Sequence, residues 1–477
     1  MSAETSPSWA SRLAAESGFA AVVGSCRDTK LLCLQRGFRL FAYGASFLIL
    51  VQFLSSLGIS DQKIGLFMTM TLLGDVIISF MLTAITDRLG RRRVLAAGAV
   101  LMVLSGVVFA LSSNYWVLLL ASVVGVISPS GNEIGPFRAV EESILAQLTG
   151  KEKRSDIFAW YTLIGTAGAA LGTLVSGWMV QGLQDIPSWG NDAAYRVVFI
   201  VYAALGIAKL LLVLALSPAV EAEEYRSRYQ AGVSGSETDR LLPGASEEGE
   251  SVASPPPPKQ KESFGQRLRS LVPYISPVSR SILYRLLLLF FLDSFASGMA
   301  SPSWLTYFFT TVHSLAAGSL GTLFLVTNLL ATVSNLLALP LARRLGPLKT
   351  MVFTHLPSAI FLALTPLPSP GGAGTWLAMG LLSLRACTQS MDQAPRQAFL
   401  SAAVLPSERT AVLGVVNVAK TLAQAGGIGV VGVLAEHKLW VVALSGAGAL
   451  KATYDLLMLG MFLGLRDRED DAGEPSS

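Results

Sequence analysis

Charged residues are scarce in this chain of 477 residues, since Asp, Glu, Lys and Arg together make up 14% of it. A soluble domain carries about 25% charged residues, so this chain has too few to cover a soluble surface of its size. Hydrophobic residues make up 52%. This balance predicts a polytopic membrane protein. We expect no nucleic-acid partner, because the basic residues stand in short turns and loops.

Cysteine and histidine are also rare, and neither forms a recognisable chemical motif. Cys26, Cys33 and Cys387 lack metal-ligand spacing and do not make a disulfide framework. The three histidines lie outside any nucleophile or metal motif, and no Gly-x-x-x-x-Gly-Lys phosphate loop is present. We therefore expect no catalytic residues, no metal, no cofactor and no ATP hydrolysis by the chain itself.

Long apolar runs dominate what remains. A bilayer core is about 30 Å thick, and a helix needs roughly 20 residues to cross it. Backbone that faces lipid must satisfy its own hydrogen bonds, so each long run should be helical. The sequence predicts an all-α polytopic protein of twelve transmembrane helices. They span residues 38–57, 62–84, 94–112, 115–147, 156–182, 194–216, 283–309, 318–342, 349–367, 374–402, 410–434 and 439–464.

One long polar stretch divides the twelve helices into six and six. Its composition, with acidic clusters and four consecutive prolines, is typical of disorder. Within it, Glu237, Leu241 and Leu242 fit an acidic dileucine pattern that a sorting adaptor could bind, although such patterns also occur by chance. The predicted organisation is an N-terminal segment over 1–37, a bundle over 38–216, a disordered loop over 217–281, a second bundle over 282–465 and a tail over 466–477.

Lysine and arginine indicate the orientation, because they concentrate in cytoplasmic loops. One side of the predicted membrane holds most of them, and the other has little more than Lys63, Arg196 and Lys438. Both termini and the central loop are therefore predicted to be cytoplasmic. The membrane itself stays open between the plasma membrane and a vacuole or lysosome.

Two basic turns mark an internal repeat. Residues 87–93 read Asp-Arg-Leu-Gly-Arg-Arg-Arg, and residues 343–349 read Arg-Arg-Leu-Gly-Pro-Leu-Lys. Their offset is 343 − 87 = 256 residues. Pro136 and Pro395, each in an interrupted polar helix, are 395 − 136 = 259 apart. Two marks at nearly one offset predict two homologous halves, an arrangement typical of transporters.

The first turn resembles the signature of the major facilitator superfamily, Gly-x-x-x-Asp-Arg-x-Gly-Arg-Arg/Lys, with Thr83 in place of the leading glycine. The resemblance implies two pseudo-symmetric six-helix bundles that rock around a cavity lined by helices one, four, seven and ten. It also implies that the turn latches the bundles in one conformation. The alternative is that its arginines only mark the cytoplasmic side. The predicted conformational gate comprises Asp87, Arg88, Gly90, Arg91, Arg92, Glu141, Glu142, Arg343 and Arg344.

Charged residues inside the predicted helices are the candidates for a central site. A charge at the bilayer centre costs roughly 2.5–3.5 kcal/mol on insertion scales, so such residues usually face a cavity or pair with one another. Pairing that only locks helices together is the alternative to a substrate or proton site. Arg36, Arg39 and Arg285 are expected to snorkel to the interface. The candidates are Asp75, Glu133, Arg138, Asp293, Asp392, Arg396 and Lys420.

The sequence therefore predicts a monomeric secondary transporter that moves a small polar or organic solute by alternating access. An acid in a dry cavity can bind and release a proton, which favours proton coupling. The glycine spacing of the fifth helix resembles an exporter motif, with Ala169 where a proline would be expected, and slightly favours export. The alternatives are an uncoupled facilitator or importer, and a membrane receptor or scaffold that does not transport.

Overall fold

The computed structural model describes residues 19–125, 127, 136–150, 152–221, 277–393, 395–396, 399–400 and 408–471. The described part is helical apart from short connections. Several predictions lie outside it, namely the candidate Glu133, the sorting pattern at Glu237, Leu241 and Leu242, and the predicted disorder between 222 and 276. The side chains of Asp87 and Arg88 also lie outside it.

The first half of the chain forms one bundle of helices. Several of its long helices are joined by short connections, such as the turn at Gly90. In order, the helices are α1 Phe19–Val23, α2 Arg27–Ser56, α3 Asp61–Leu89, α4 Arg91–Leu111, α5 Tyr115–Gly125, α6 Pro136–Leu148, α7 Arg154–Gln184 and α8 Asn191–Leu214, followed by a 3-10 turn at Pro218–Val220.

The second half repeats this arrangement as a second bundle. Its helices are α9 Pro277–Met299, α10 Pro302–Thr311, α11 Ala317–Leu345, α12 Pro347–Leu364, α13 Gly372–Gln389, α14 Arg409–Glu436 and α15 Trp440–Asp471. Helices lie at all twelve predicted positions. Among the described residues, nine are long and apolar enough to cross a membrane, and two shorter apolar helices accompany them.

Four boundaries differ from the prediction. Helix α2 begins at Arg27, 38 − 27 = 11 residues early, because its first turns are amphipathic and bury Leu32 and Cys33 rather than being uniformly apolar. Pro302 starts a new helix and divides the predicted seventh helix into α9 and α10. A turn after Gln389 interrupts the predicted tenth helix. The predicted loop from 217 begins with a packed segment, since Val220 and Glu221 are buried.

Among the described residues, the two bundles contact each other mainly through α2 with α10, α3 with α14 and α7 with α11, and α2 also touches α11. Small residues permit this approach, as is usual in membranes. A Cβ on Gly65 would lie 2.8 Å from the Cα of Gly432, and one on Gly177 would lie 2.4 Å from the carbonyl oxygen of Ala317. Gly65, Gly177 and Gly432, of the second, fifth and eleventh predicted helices, therefore serve packing.

The two basic turns have the same backbone geometry. Gly90 has a φ of 91° and Gly346 a φ of 80°, and each glycine ends one helix and starts the next. Residues with a Cβ rarely adopt this conformation. The offset is again 346 − 90 = 256, so the repeat found in the sequence is a structural one. We call the end of the molecule with these turns the basic end, and the end with the loops at 57–60, 312–316 and 437–439 the far end.

Candidate functional site

A buried cluster around Glu141 joins four helices of the first bundle. The Glu141 side chain is fully buried, and the Arg39 Nη2 atom lies 2.6 Å from its Oε2 atom. The Tyr161 hydroxyl donates to the same oxygen, and the Lys209 Nζ atom lies 3.9 Å from Oε1. The Arg36 guanidinium stacks 4.4 Å from the centre of the Tyr161 ring. Burial of these charges is tolerated because they face one another.

This cluster corrects the expectation that Arg36 and Arg39 snorkel. Arg36 is 5% exposed, and the Arg39 side chain points at Glu141 inside the bundle. Arg36 lies within α2 rather than before it, which the apolar pattern did not indicate, whereas Arg39 was already part of the helix predicted over 38–57. The candidate Arg138 is half-exposed, and its Nε atom donates to Glu142 Oε1 at 2.7 Å. Of the two glutamates that follow Arg138 by three and four residues, Glu142 makes this ion pair, while Glu141 accepts from Arg39.

A second cluster surrounds Asp293 in the other bundle. Lys451 Nζ donates to Asp293 Oδ1 at 2.7 Å, and Arg396 Nη1 donates to Oδ2 at 3.0 Å. Arg396 also pairs with Asp392 one helical turn before it. The structure thus brings together three residues that the sequence singled out separately, namely Asp293, Asp392 and Arg396. The fourth member, Lys451, was not predicted.

His355 and Asp455 extend this cluster. His355 Nδ1 lies 2.9 Å from both carboxylate oxygens of Asp455, and its Nε2 atom lies 3.9 Å from Asp293 Oδ1. Both residues are buried. The predicted site included neither of them, nor Lys209 or Lys451. Lys209, Lys451 and Asp455 are charged residues in mainly apolar stretches of α8 and α15, so the rule that intramembrane charges are functional or paired would have found them.

The candidate Asp75 lies apart from both clusters, in the middle of α3. It is 2% exposed. Its Oδ1 atom accepts a long hydrogen bond from the Ser79 hydroxyl at 3.4 Å, and its Oδ2 atom is sealed from solvent without a hydrogen bond. No cation among the described residues pairs with Asp75. A buried carboxyl in this state favours its neutral, protonated form.

Two further cations, the candidate Lys420 and Arg385, lie within helices of the second bundle. Lys420 Nζ lies 5.3 Å from the centre of the Phe290 ring, and the Arg396 guanidinium lies 5.6 Å from the same ring. A cation over an aromatic face is stabilised by the ring quadrupole. Arg385 is 6% exposed on α13. It belongs to the tenth predicted helix, over 374–402, but was not among the candidates.

At the basic end, a carboxylate caps the helix that follows the first turn. The backbone N–H groups of Arg91 and Arg92 donate to Glu221 at 2.6 and 3.1 Å. The positive end of a helix dipole favours an anion at this place. Arg91 Nη1 donates to Gln147 Oε1 at 2.7 Å, and Gln147 Nε2 donates to the Glu221 carbonyl at 3.1 Å. In the second turn, Arg343 and Arg344 are exposed.

The far end joins the two bundles. Tyr307 donates to Asp61 Oδ1 at 2.8 Å and lies 3.2 Å from the Ser55 hydroxyl. The Gln62 backbone N–H, at the start of α3, donates to Glu436 Oε2 at 3.2 Å. Further inter-bundle hydrogen bonds lie toward this end too, and they join Gln52 with Thr310, Thr69 with Ala425, Trp178 with Thr322 and Gln181 with Gly318.

The fold and these clusters define a polytopic helical membrane protein made of two pseudo-symmetric bundles. Comparisons with known proteins agree with this class. The sequence model of the Major Facilitator Superfamily matches residues 32–427. The uncharacterized membrane protein YJR124C of Saccharomyces cerevisiae is 35% identical over 443 residues, which cover 92% of this chain and 95% of the yeast protein.

More distant similarities point in the same direction. The quinolone resistance protein NorA of Staphylococcus aureus is 25% identical over 157 residues, 33% of this chain and 39% of NorA. The crystal structure of a D-xylose-proton symporter superposes with a TM-score of 0.63 at 16% identity and covers 90% of this chain and 96% of that one. At this identity the likeness shows the fold alone. The chain belongs to the Major Facilitator Superfamily, and it is a multi-pass membrane transporter by family and fold.

Proposed function

We propose that the protein is a secondary active transporter that moves a small polar or organic solute by alternating access. The observation that carries this proposal is the arrangement of contacts between the bundles. The described inter-bundle hydrogen bonds lie toward the far end, where Tyr307 meets Asp61 and Glu436 meets α3. A transporter that rocks between two states closes one end at a time. The described conformation corresponds to a state with its far end closed.

The basic turns support an orientation with the basic end at the cytoplasm. Exposed arginines at one end of the molecule, such as Arg343 and Arg344, are typical of the cytoplasmic side. In this orientation the described state faces the cytoplasm. The predicted gate residues Asp87, Arg88 and Gly90 stand at the end of α3, next to the start of α4. We propose that they hold the basic end closed in the other state.

Asp75 supports proton coupling. It is buried in the middle of a membrane-spanning helix, and no described cation compensates a negative charge there. A carboxyl of this kind changes its charge only when its surroundings change, for example when water enters. Rocking of the bundles can supply that change and so link proton release to transport. The similarity to a D-xylose-proton symporter shows that this fold accommodates proton coupling in another protein.

Export is the direction that we favour over import. The support is the partial similarity to the quinolone resistance protein NorA, together with the glycine-rich fifth predicted helix. An uncoupled facilitator or importer is the second candidate, favoured if Asp75 is structural. A receptor or scaffold without transport is the third.

A screen followed by flux measurements tests these candidates. The purified chain is screened by thermal shift against a metabolite library at pH 5.5 and 7.5, and each stabilising compound is then assayed in proteoliposomes with and without a pH gradient. We expect a pH gradient to drive accumulation of the solute in proteoliposomes that contain the wild type. The control variant Asp192→Asn should behave in the same way, because the Asp192 carboxylate is exposed at the far end. Asp75→Asn should abolish gradient-driven accumulation but retain exchange of solute.

Each other outcome selects a different candidate. Flux that ignores the pH gradient in the wild type favours the facilitator. Gradient-driven accumulation that survives in Asp75→Asn removes Asp75 from the coupling mechanism. If none of the stabilising compounds crosses the membrane, the protein is a receptor or scaffold.

A further inference from the structure

Arg385 lies deep in the second bundle on a buried face of α13. The other buried residues of this helix, Ala378 and Leu382, lie seven and three residues before it and therefore share its face. Arg385 stands 385 − 372 = 13 residues from the start of α13 at Gly372, which is about 20 Å along a helix axis. The hydrocarbon core is about 30 Å thick. The arginine is therefore placed well inside the membrane.

The other deeply placed cations of this bundle have partners. Lys451 is paired with Asp293, Arg396 is paired with Asp293 and Asp392, and Lys420 lies over Phe290. Within the part of the chain that the structure describes, the Arg385 side chain has no hydrogen bond, no ion pair and no aromatic ring contact. Arg385 is 6% exposed, so the residue is almost entirely removed from solvent.

An arginine in this state is costly, and it cannot lower the cost by losing its proton. Such a charge persists in a membrane protein when it faces a cavity or a ligand. The guanidinium presents five N–H donors in a planar fork, which matches the two oxygens of a carboxylate or phosphate. Arg385 thus offers a preformed half of a bidentate ion pair.

We propose that Arg385 is a substrate-recognition residue that binds the carboxylate or phosphate group of an anionic solute. The proposal rests on the transport function above and narrows its substrate to small organic or inorganic anions. The anion supplies the countercharge that no described residue supplies. Binding then forms two charge-assisted hydrogen bonds, so loss of the fork should weaken anion affinity at least about tenfold.

Thermal shift of the purified full chain in phosphatidylcholine nanodiscs, at constant ionic strength, tests this inference. The probes are succinate and inorganic phosphate, with glucose and tetraethylammonium as neutral and cationic comparisons. We expect an anion to raise the Tm of the wild type and of Arg285→Gln, which removes an exposed arginine from the same bundle. Arg385→Gln should lose this shift, and Arg385→Lys should retain a weaker one. Without ligand, Arg385→Gln should be at least as stable as the wild type, because it removes an unpaired buried charge.

Several results would overturn the inference. The first is that neither anion raises the Tm of the wild type, and the second is that an anion raises the Tm of Arg385→Gln as much as that of the wild type. The third is a large loss of stability without ligand in both Arg385→Gln and Arg385→Lys, which would make Arg385 structural. A shift caused by phosphatidylglycerol in the nanodisc, and lost in Arg385→Gln, would assign the site to a lipid headgroup instead of a solute.

The failure of this inference and the failure of the transport proposal can be told apart. If a neutral or cationic solute crosses proteoliposomes while neither anion binds, transport stands and the anion site falls. If an anion binds through Arg385 but does not cross the membrane, the anion site stands and transport falls.

Discussion

The Lys451 ammonium lies 2.7 Å from the Asp293 carboxylate, and both side chains are buried between α9 and α15. The two residues are 451 − 293 = 158 positions apart in the chain. Lys451 also donates to the Ser297 hydroxyl at 2.8 Å. A buried ion pair contributes little net stability over an apolar pair, but removal of one partner leaves an uncompensated charge. This asymmetry makes the pair testable.

Lys451→Met should destabilise the second bundle by about 3 kcal/mol, the lower end of the range for a broken buried pair, because Arg396 still faces Asp293. The measurement is thermal unfolding in detergent. The double variant Asp293→Asn with Lys451→Met should recover part of the loss, since no unpaired carboxylate remains. Lys349→Met is the control, because Lys349 is exposed. An unchanged Tm in Lys451→Met would contradict the pairing.

Tyr307→Phe should shift the protein toward a state with an open far end, because it removes the hydrogen bond to Asp61. A net hydrogen bond of this kind contributes about 1 kcal/mol, which is roughly a fivefold change in the ratio of the two states. Spin labels at Ser188→Cys and Ser369→Cys, with the natural cysteines replaced by serine, report the distance between the bundles by electron–electron dipolar spectroscopy. The longer distance should gain population.

Tyr284→Phe is the matched control for this experiment, because Tyr284 is 64% exposed and lies in the same bundle. Glu436→Gln should act in the same direction as Tyr307→Phe but more weakly, since its hydrogen bond to the Gln62 N–H is exposed. Identical distance distributions in Tyr307→Phe and the wild type would rule out a role for Tyr307 in far-end closure.

Glu221→Ala should loosen the start of α4, because the Glu221 carboxylate accepts from the N–H groups of Arg91 and Arg92. Loss of a helix N-cap costs about 1 kcal/mol. Hydrogen exchange of the peptide that contains these two amides should therefore become about fivefold faster. Glu152→Ala is the control, since Glu152 is exposed. Equal protection in the two variants would show that the cap is dispensable.

His313 predicts a pH dependence at the far end. It lies in the loop between α10 and α11, near Thr375, and burial lowers its pKa from the ordinary value of 6.5. The unfolded chain therefore binds more protons than the folded one as pH falls through 6.5, so His313 should cost stability below that pH. The Tm difference between pH 5.5 and 8 should shrink in His313→Gln.

His437→Gln controls for the general effect of removing a histidine, because His437 is exposed. The two variants should differ at pH 5.5 and agree with the wild type at pH 8. A Tm profile of His313→Gln that parallels the wild type over this range would show that His313 has the same pKa in the folded and the unfolded chain, which contradicts the prediction.

Much of the architecture could be predicted from the chain alone. Apolar length predicts membrane helices, since backbone in lipid must bond to itself. The paired turns predict two halves, and Gly90 and Gly346 share their unusual φ in the structure. The sequence is less informative at α2. It predicts a cytoplasmic segment up to residue 37, whereas the helix begins at Arg27 with an amphipathic extension. The sequence also predicts α9 and α10 as a single helix, because one proline is a weak signal within a long apolar run.

The sequence by itself determined which residues carry charge in the membrane and roughly at what depth, because periodicity and composition act locally along the chain. Only the tertiary structure decided which of those charges meet. Asp293 finds Arg396 and Lys451, whereas Asp75 and Arg385 have no countercharge among the described residues. Pairing depends on how helices far apart in sequence pack side by side, and no local pattern encodes that contact.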